Sequence, residues 1–193
     1  TLALRVVESG KWKLADPVNR YLEEIPSRID VRIKHLLTHT SGFVPWMDLF
    51  SGPDDRSEAL ERLFSDKWPI LDPVIPPPAD RVVYSDLNFI VLGLAVERIT
   101  GKSLAELAGE KIFRPLDMND SYFNPPAGEK GRIAPTEYSE SRGGVIRGEV
   151  HDENSYVLGG VSGHAGLFST AGDLGNFVYA MLNGGDYENY RLI

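Results

Sequence analysis

The stretch that decides the fold is residues 84–101, YSDLNFIVLGLAVERITG, which predicts one long helix from Asp86 to Thr100. Ser85 is placed to cap its first turn and Gly101 to end it. Apolar residues occupy nearly every face of this helix: Leu87, Phe89, Ile90, Val91, Leu92, Leu94, Ala95, Val96 and Ile99. A helix with no polar stripe is buried inside a protein, so we expect its N-terminus to border a pocket.

Tyr84 lies just before this buried helix. Because a helix N-terminus favours negative charge, a phenolate held there could act as a general base. The alternative is a tyrosine that only packs at the helix entrance, and the local pattern by itself leaves both open.

A second notable stretch is residues 159–167, GGVSGHAGL, in which four glycines flank His164. Glycine lets the backbone approach a ligand closely. A strand beginning at Gly166 could direct its N–H groups at an oxyanion, with His164 holding a proton or a positive charge beside it. A glycine-rich turn with a structural histidine is the alternative.

The remaining chain alternates helices and loops. Helices are predicted from the first residues to about Ser9, at Val31–Thr38 after a cap at Asp30, at Ser57–Phe64, from a capping box at Ser103 to about Phe113, and at Asp173–Leu182 after a cap at Thr170. Short strands are predicted at residues 121–123 and 166–169, and residues 124–160 are predicted as a long loop. The prolines at 76–78 predict extended chain.

Two other catalytic patterns are weaker. Gly160-x-Ser162-x resembles a nucleophile elbow, but His164 replaces the second glycine that its sharp turn needs. His35 and His39 are four residues apart on a predicted helix, which suits a metal, but no clear third ligand accompanies them.

Three stretches together resemble, in order and spacing, the serine β-lactamase and penicillin-binding-protein superfamily: LLTHTSG at 36–42, YSDLNF at 84–89 and GHAGLFST at 163–170. The branch with class C β-lactamases, D-alanyl-D-alanine carboxypeptidases and related esterases is the most similar. The resemblance covers nearly the whole chain. It implies a mixed α and β, β-lactamase/transpeptidase-like fold that is incomplete, with mostly the helical region and part of the antiparallel sheet, as one partial domain over residues 1–193. In the first stretch, Ser41 is interpreted as a turn residue.

The resemblance also implies roles. A Ser-x-x-Lys motif supplies the acylated serine, and Tyr84 is the general base. Asp86 contacts substrate, while His164 and Gly166 belong to the third motif. The backbone N–H of Leu167 forms half of the oxyanion hole, and His164 acts with it to steady the oxyanion as a catalytic residue. The implied substrate is a β-lactam, a D-alanyl peptide of the peptidoglycan type or a small ester, hydrolysed through an acyl-enzyme.

Two departures from the family pattern matter. Asp86 stands where Asn is usual, and an ionised Asp cannot donate a hydrogen bond to a substrate carbonyl. No lysine has a serine three residues before it, so the chain holds no Ser-x-x-Lys nucleophile. VESGK at residues 7–11 matches the turn that follows that motif's helix, and the last residues, Leu192 and Ile193, are apolar and expected to be exposed. We therefore expect an internal fragment, without the family's last strands and C-terminal helix, that is inactive alone.

Composition limits the other possibilities. The 193 residues carry a net charge of -8 with no basic cluster, which argues against nucleic acid as a partner. The chain has no cysteine, which excludes disulfides and cysteine-based zinc sites, and no cofactor is implied. No basic-then-apolar leader opens the sequence, and the resemblance favours a periplasmic or extracellular location. Open sheet edges favour self-association. Two alternatives to a serine hydrolase remain: a non-catalytic cell-wall or peptide-binding module, and a zinc hydrolase.

Overall fold

The computed structural model describes residues 1–65, 68–70 and 81–193, and the proline run at 76–78 lies outside them. The described residues form seven α-helices: α1 (Leu2–Glu8), α2 (Ile33–Leu37), α3 (Arg56–Leu63), α4 (Asp86–Thr100), α5 (Leu104–Ala108), α6 (Glu153–Val157) and α7 (Ala171–Leu182). They also form six two-residue strands: β1 (Tyr122–Phe123), β2 (Tyr138–Ser139), β3 (Gly144–Val145), β4 (Leu167–Phe168), β5 (Asp186–Tyr187) and β6 (Tyr190–Arg191). The predicted mixed α and β class is confirmed.

The centre of the fold is α4, as its apolar sequence predicts. Eight of its residues are buried, and α1 and α2 pack against it. Gly101 ends the helix with a φ of 69°, a left-handed conformation that glycine adopts without strain. The start differs from the prediction, because the Ser85 hydroxyl donates to the Val44 carbonyl at 2.6 Å and does not cap the helix.

Helix α2 is shorter than predicted, and Asp30 does not cap it. Arg32 occupies the N-cap position, and its N–H donates to Nδ1 of His35 at 3.1 Å. Asp30 instead lies 3.3 Å from the Arg32 guanidinium. A side chain inside the helix thus satisfies the free N–H group that the carboxylate was expected to bind.

Three other helix starts follow their local sequence. The Ser103 hydroxyl accepts from the Glu106 N–H at 3.2 Å, and the Glu106 carboxylate accepts from the Ser103 N–H at 2.9 Å, which is the predicted capping box. Thr170 caps α7 through the Asp173 N–H at 3.2 Å. Asp55 caps α3, which begins one residue earlier than predicted. After α5, a π-helical segment at Gly109–Phe113 and a 3₁₀ turn at Arg114–Leu116 extend the helical path.

The strands form three separate antiparallel pairs, β1 with β4, β2 with β3, and β5 with β6. Both predicted strands are present, and they pair with each other: Phe123 lies opposite Leu167 and Tyr122 opposite Phe168. The prediction that residues 124–160 are all loop is wrong. This region contains a 3₁₀ helix at Ala127–Arg132, the β2–β3 hairpin and α6. Elements this short carry no hydrophobic period that a sequence reading can detect.

Two apolar clusters stabilise these elements. The larger one joins α1, α2, α3, α4 and α5. The smaller one contains Ile112, Leu116, Met118, Ala180 and Leu192, so Leu192 is buried and its expected exposure is wrong. Within the described ranges, no helix combines the length and the apolar composition needed to cross a lipid bilayer.

Candidate active site

Tyr84 lies in an extended segment that ends at the first turn of α4, and its side chain points into solvent, since the residue is 72% exposed. Its ring packs on the ring of His39, with 4.7 Å between centroids and 33° between planes. The Ser85 N–H donates to His39 Nδ1 at 3.2 Å. The predicted base is therefore accessible and in contact with the 36–42 stretch.

Asn88 fixes the same histidine from the first turn of α4. Its Nδ2 lies 3.0 Å from His39 Nδ1, and the residue is fully buried. Because Nδ1 lies within hydrogen-bonding distance of two donors, we assign it the acceptor role, which places the ring N–H at Nε2. The Asn88 Oδ1 has no partner among the described residues.

The glycine-rich stretch packs directly against α4. A Cβ on Gly163 would lie 2.0 Å from the carbonyl oxygen of Phe89, and one on Gly166 would lie 2.4 Å from the carbonyl oxygen of Gly160. Gly166 also has a φ of 113°. Close backbone packing therefore requires both glycines, apart from any ligand.

The side chain of His164 is buried, with 4% of it exposed. Its Nδ1 lies 2.8 Å from the Ser162 hydroxyl, and its Nε2 lies 2.9 Å from Oδ1 of Asp152. Ser162 is also buried. Both ring nitrogens are therefore hydrogen-bonded inside the protein. This geometry fits the alternative in which His164 is a structural histidine in a glycine-rich turn.

Asp152 links this histidine to α6. Its Oδ1 accepts the Ser155 N–H at 2.7 Å and caps the helix. Burial raises the pKa of Asp152, but the hydrogen bonds from His164 and Ser155 outweigh it and hold that pKa below its ordinary value. The carboxylate is thus ionised at neutral pH.

The structure brings Asp86 and His164 together. One carboxylate oxygen of Asp86, one of Asp152 and one ring nitrogen of His164 all lie within 4.8 Å of one another. Across the described ranges, this is the group whose spacing could hold a metal ion, and it does not include His35 or His39. The ring nitrogen on the Asp152 side already bonds that carboxylate, so a metal would have to displace this bond.

A cavity of about 790 Å³ borders the cluster. Asp152, Gly166 and Leu167 line it, whereas Tyr84, Asp86 and His164 do not. Two acidic groups at its wall, Asp120 and Glu129, pair with Arg132 at 2.9 and 2.6 Å. The strand predicted to stabilise an oxyanion, Leu167–Phe168, therefore borders a cavity that is large enough for a small substrate.

Sequence reasoning missed several residues of this region. Asp152 sits before a helix too short to predict. Asn154, on that helix, binds the Leu49 N–H at 2.9 Å and the Met47 carbonyl at 2.8 Å. For His39, the sequence indicates a family residue and a possible metal ligand, and it gives no signal for the contacts with Tyr84 and Asn88. The sequence signal for Ser41 was sufficient, since its hydroxyl accepts the Phe43 N–H at 3.1 Å within the predicted turn.

Comparison with known proteins identifies a family and relatives of this chain. Residues 1–191 match the family described as Beta-lactamase. An Escherichia coli K12 protein named "Putative D-alanyl-D-alanine carboxypeptidase" is 34% identical over 97% of this chain and 49% of its own length. A protein of the same name from Salmonella newport is 32% identical, with the same coverage. The chain spans about half the length of the curated relatives it matches.

Solved structures share the fold. FmtA from Staphylococcus aureus superposes with a TM-score of 0.73 at 25% identity, covering 100% of this chain and 49% of that protein. A β-lactamase/D-alanine carboxypeptidase from Pseudomonas syringae gives a TM-score of 0.73 at 20% identity, over 97% of this chain and 49% of that one, and shows the fold alone. By the match over residues 1–191, the chain belongs to the Beta-lactamase family.

Proposed function

We propose that residues 1–193 are one partial domain of a serine hydrolase that acts through an acyl-enzyme on a β-lactam, a D-alanyl peptide or a small ester. Membership of the Beta-lactamase family supports the reaction class. The carboxypeptidase name of the relatives supports a peptide substrate. The serine nucleophile and its lysine belong to a Ser-x-x-Lys motif that these residues do not contain.

The observation that carries the proposal is the environment of Tyr84. Its ring is exposed, while His39 holds the segment on which it lies. The N-terminus of the buried helix α4, the end of a helix that favours negative charge, begins two residues later. An accessible phenolic oxygen in a fixed place suits a group that takes a proton from a nucleophile and returns it to a leaving group.

Asp86, Gly166 and Leu167 supply substrate contacts in this scheme. The Asp86 carboxylate accepts hydrogen bonds from substrate N–H groups, because an ionised carboxylate has no donor. Leu167 is 48% exposed and lines the 790 Å³ cavity with Gly166. Its backbone N–H stabilises the oxyanion.

His164 acts through its neighbours. To contact a substrate oxygen directly, it would have to release Ser162 or Asp152. We therefore propose that it holds Asp152 and the glycine-rich turn in place, which positions Gly166 and Leu167. The direct role that the family resemblance implies for His164 stays a prediction.

A non-catalytic cell-wall or peptide-binding module is the second candidate. Asp86 supports it, because the Asn usual at this position in the family is absent. A complete protein of this kind would lack the Ser-x-x-Lys motif, whereas the hydrolase requires it.

The experiment is intact-mass spectrometry after incubation with a penicillin and, separately, a fluorophosphonate. We expect no adduct on the 193-residue chain and a stoichiometric adduct on a longer form that carries Ser-x-x-Lys upstream. In that form Tyr84→Phe should slow acylation by about 100-fold or more. Tyr138→Phe, which changes another exposed tyrosine, is the control and should have no effect.

Two results would contradict the proposal. An adduct on the 193-residue chain that maps to Ser162 or Ser41 would show a nucleophile inside these residues. Equal acylation rates for Tyr84→Phe and Tyr138→Phe in the longer form would remove Tyr84 from the chemistry.

A further inference from the structure

Several contacts of His39 converge on the segment that carries Tyr84. We infer that His39 is the positioning residue for Tyr84, an inference that rests on the proposed role of Tyr84 as general base. It acts on the backbone on both sides of the tyrosine and on the ring itself.

The backbone contacts come first. The His39 carbonyl accepts the Val83 N–H at 2.9 Å, and its Nδ1 accepts the Ser85 N–H at 3.2 Å. The residues immediately before and after Tyr84 are thus bonded to the same histidine. This fixes the direction in which the Cα–Cβ bond of Tyr84 leaves the chain.

The ring contact restrains the side chain. An exposed tyrosine loses conformational freedom when it is held in one rotamer, and a contact must offset that cost. The His39 ring supplies it, with 4.7 Å between the two centroids. This contact does not bury the tyrosine, since the residue stays 72% exposed.

His39 is itself held in place. Its ring lies 5.2 Å from that of Phe89 on α4, and its Nδ1 lies 3.0 Å from Asn88 Nδ2. Its φ is 54°, a left-handed conformation that is uncommon for a side chain larger than glycine or asparagine. Contacts with α4 therefore restrain His39, and His39 in turn restrains Tyr84, which lies outside the helix.

Three requirements at position 39 explain why this residue is a histidine. The site requires an aromatic ring, a hydrogen-bond acceptor near the Nδ1 position and tolerance of positive φ. Asparagine would keep the acceptor and the conformation but lose the ring. Phenylalanine would keep the ring but leave the Ser85 N–H and Asn88 without their acceptor. These two substitutions separate the contributions.

The test compares His39→Asn, His39→Phe and His39→Ala by two readouts. The first is the NMR signal of the Tyr84 ring in the 193-residue chain, assigned by its loss in Tyr84→Phe. The second is kcat and KM of the longer form with Ser-x-x-Lys. His35→Asn and His35→Phe are matched controls, because His35 Nδ1 also accepts a backbone N–H, from Arg32 at the N-cap of α2.

We expect His39→Ala and His39→Phe to shift and broaden the Tyr84 signal. Both should lower kcat by about 100-fold with little change in KM, because misplacing a catalytic group by about 1 Å has that effect. His39→Asn should recover much of kcat. The His35 variants should change the melting temperature but neither the Tyr84 signal nor kcat.

An unchanged Tyr84 signal and unchanged kcat in His39→Phe would overturn the inference. So would equal losses in His39→Asn and His39→Ala, since the retained acceptor would then have no effect. If Tyr84→Phe leaves kcat unchanged, the proposed function fails. The NMR readout would then still show whether His39 positions Tyr84.

Discussion

The Nε2 of His164 lies 2.9 Å from Oδ1 of Asp152, and this bond joins the glycine-rich turn to the first turn of α6. The same oxygen accepts the Ser155 N–H, so one carboxylate orders two segments at the wall of the cavity. Helix α6 in turn holds the loop at Met47 and Leu49 through Asn154. The cluster is therefore a structural centre as well as a candidate site.

Asp152→Asn should lower the free energy of unfolding by about 1–3 kcal/mol, because a part-buried charge-assisted bond is lost. The folded-state pKa of Asp152 lies below its unfolded value, so its stabilisation is present above the ordinary Asp pKa and is lost as the pH falls through the folded pKa. Urea unfolding at several pH values measures this. The difference from wild type should be constant near neutrality and shrink in acid. The control is Glu153→Gln, on the exposed neighbour, and a difference that grows in acid would contradict the account.

Gly163→Ala should destabilise the fold by about 1–3 kcal/mol, because the new Cβ would lie 2.0 Å from the Phe89 carbonyl oxygen on α4. Gly175→Ala is the matched control. Gly175 lies in α7 with open space around its Cβ position, so the change should stabilise by about 0.5–1 kcal/mol. Thermal unfolding of both variants checks the prediction. If Gly163→Ala is neutral, the close contact of the two backbones is not present in solution.

Asp86→Asn should raise the rate of acylation by a penicillin in the longer form, by about tenfold. The amide restores a donor for the substrate carbonyl, which is worth about 1–1.5 kcal/mol. It also removes one of two carboxylates that lie close together beside His164. The second-order acylation rate, followed by intact mass, measures the effect. A slower reaction would contradict this prediction, because it would show that penicillin, like the N–H-bearing substrates proposed for Asp86, is bound through the carboxylate.

The Tyr21 hydroxyl should lose its proton at a higher pH than an ordinary tyrosine does. Burial and, next, its hydrogen bond to Asp16 at 2.6 Å raise the pKa of Tyr21 to about 12. Because this value exceeds that of the unfolded chain, the stabilisation is full below the ordinary tyrosine pKa of about 10 and is lost as the pH rises to about 12. An ultraviolet titration of wild type against Tyr21→Phe isolates the group. A difference centred near the ordinary value would contradict both the burial of the Tyr21 hydroxyl and its bond to Asp16.

The chain should self-associate. Helix α7 exposes a group of apolar side chains, and an unpartnered surface of this kind favours association: Leu174, Val178, Tyr179, Met181 and Leu182. Sedimentation velocity over a range of concentrations measures it. Leu182→Glu should reduce the associated fraction, whereas Leu14→Glu, at an exposed apolar residue outside α7, should not. A monomer at all concentrations would remove this prediction.

Sequence patterns predicted the local structure correctly where the residues that determine it all lie within one segment. The apolar run of α4, the Ser103–Glu106 capping box and the Thr170 cap all predict what the structure has. Predictions failed where a distant group competes. Ser85 was expected to cap α4, but the Val44 carbonyl takes its hydroxyl. Asp30 was expected to cap α2, but His35 satisfies the backbone there.

The sequence by itself determined the buried helix, the glycine positions and the family, because these depend on residue type and spacing along the chain. Only the tertiary structure decided which side chains meet. Asp86 and His164 are far apart in sequence and come together with Asp152, which had no sequence signal. His39 reaches Tyr84 across the packing of α2 on α4. Such pairs depend on how helices and loops pack in three dimensions, and that information is not present in any single segment.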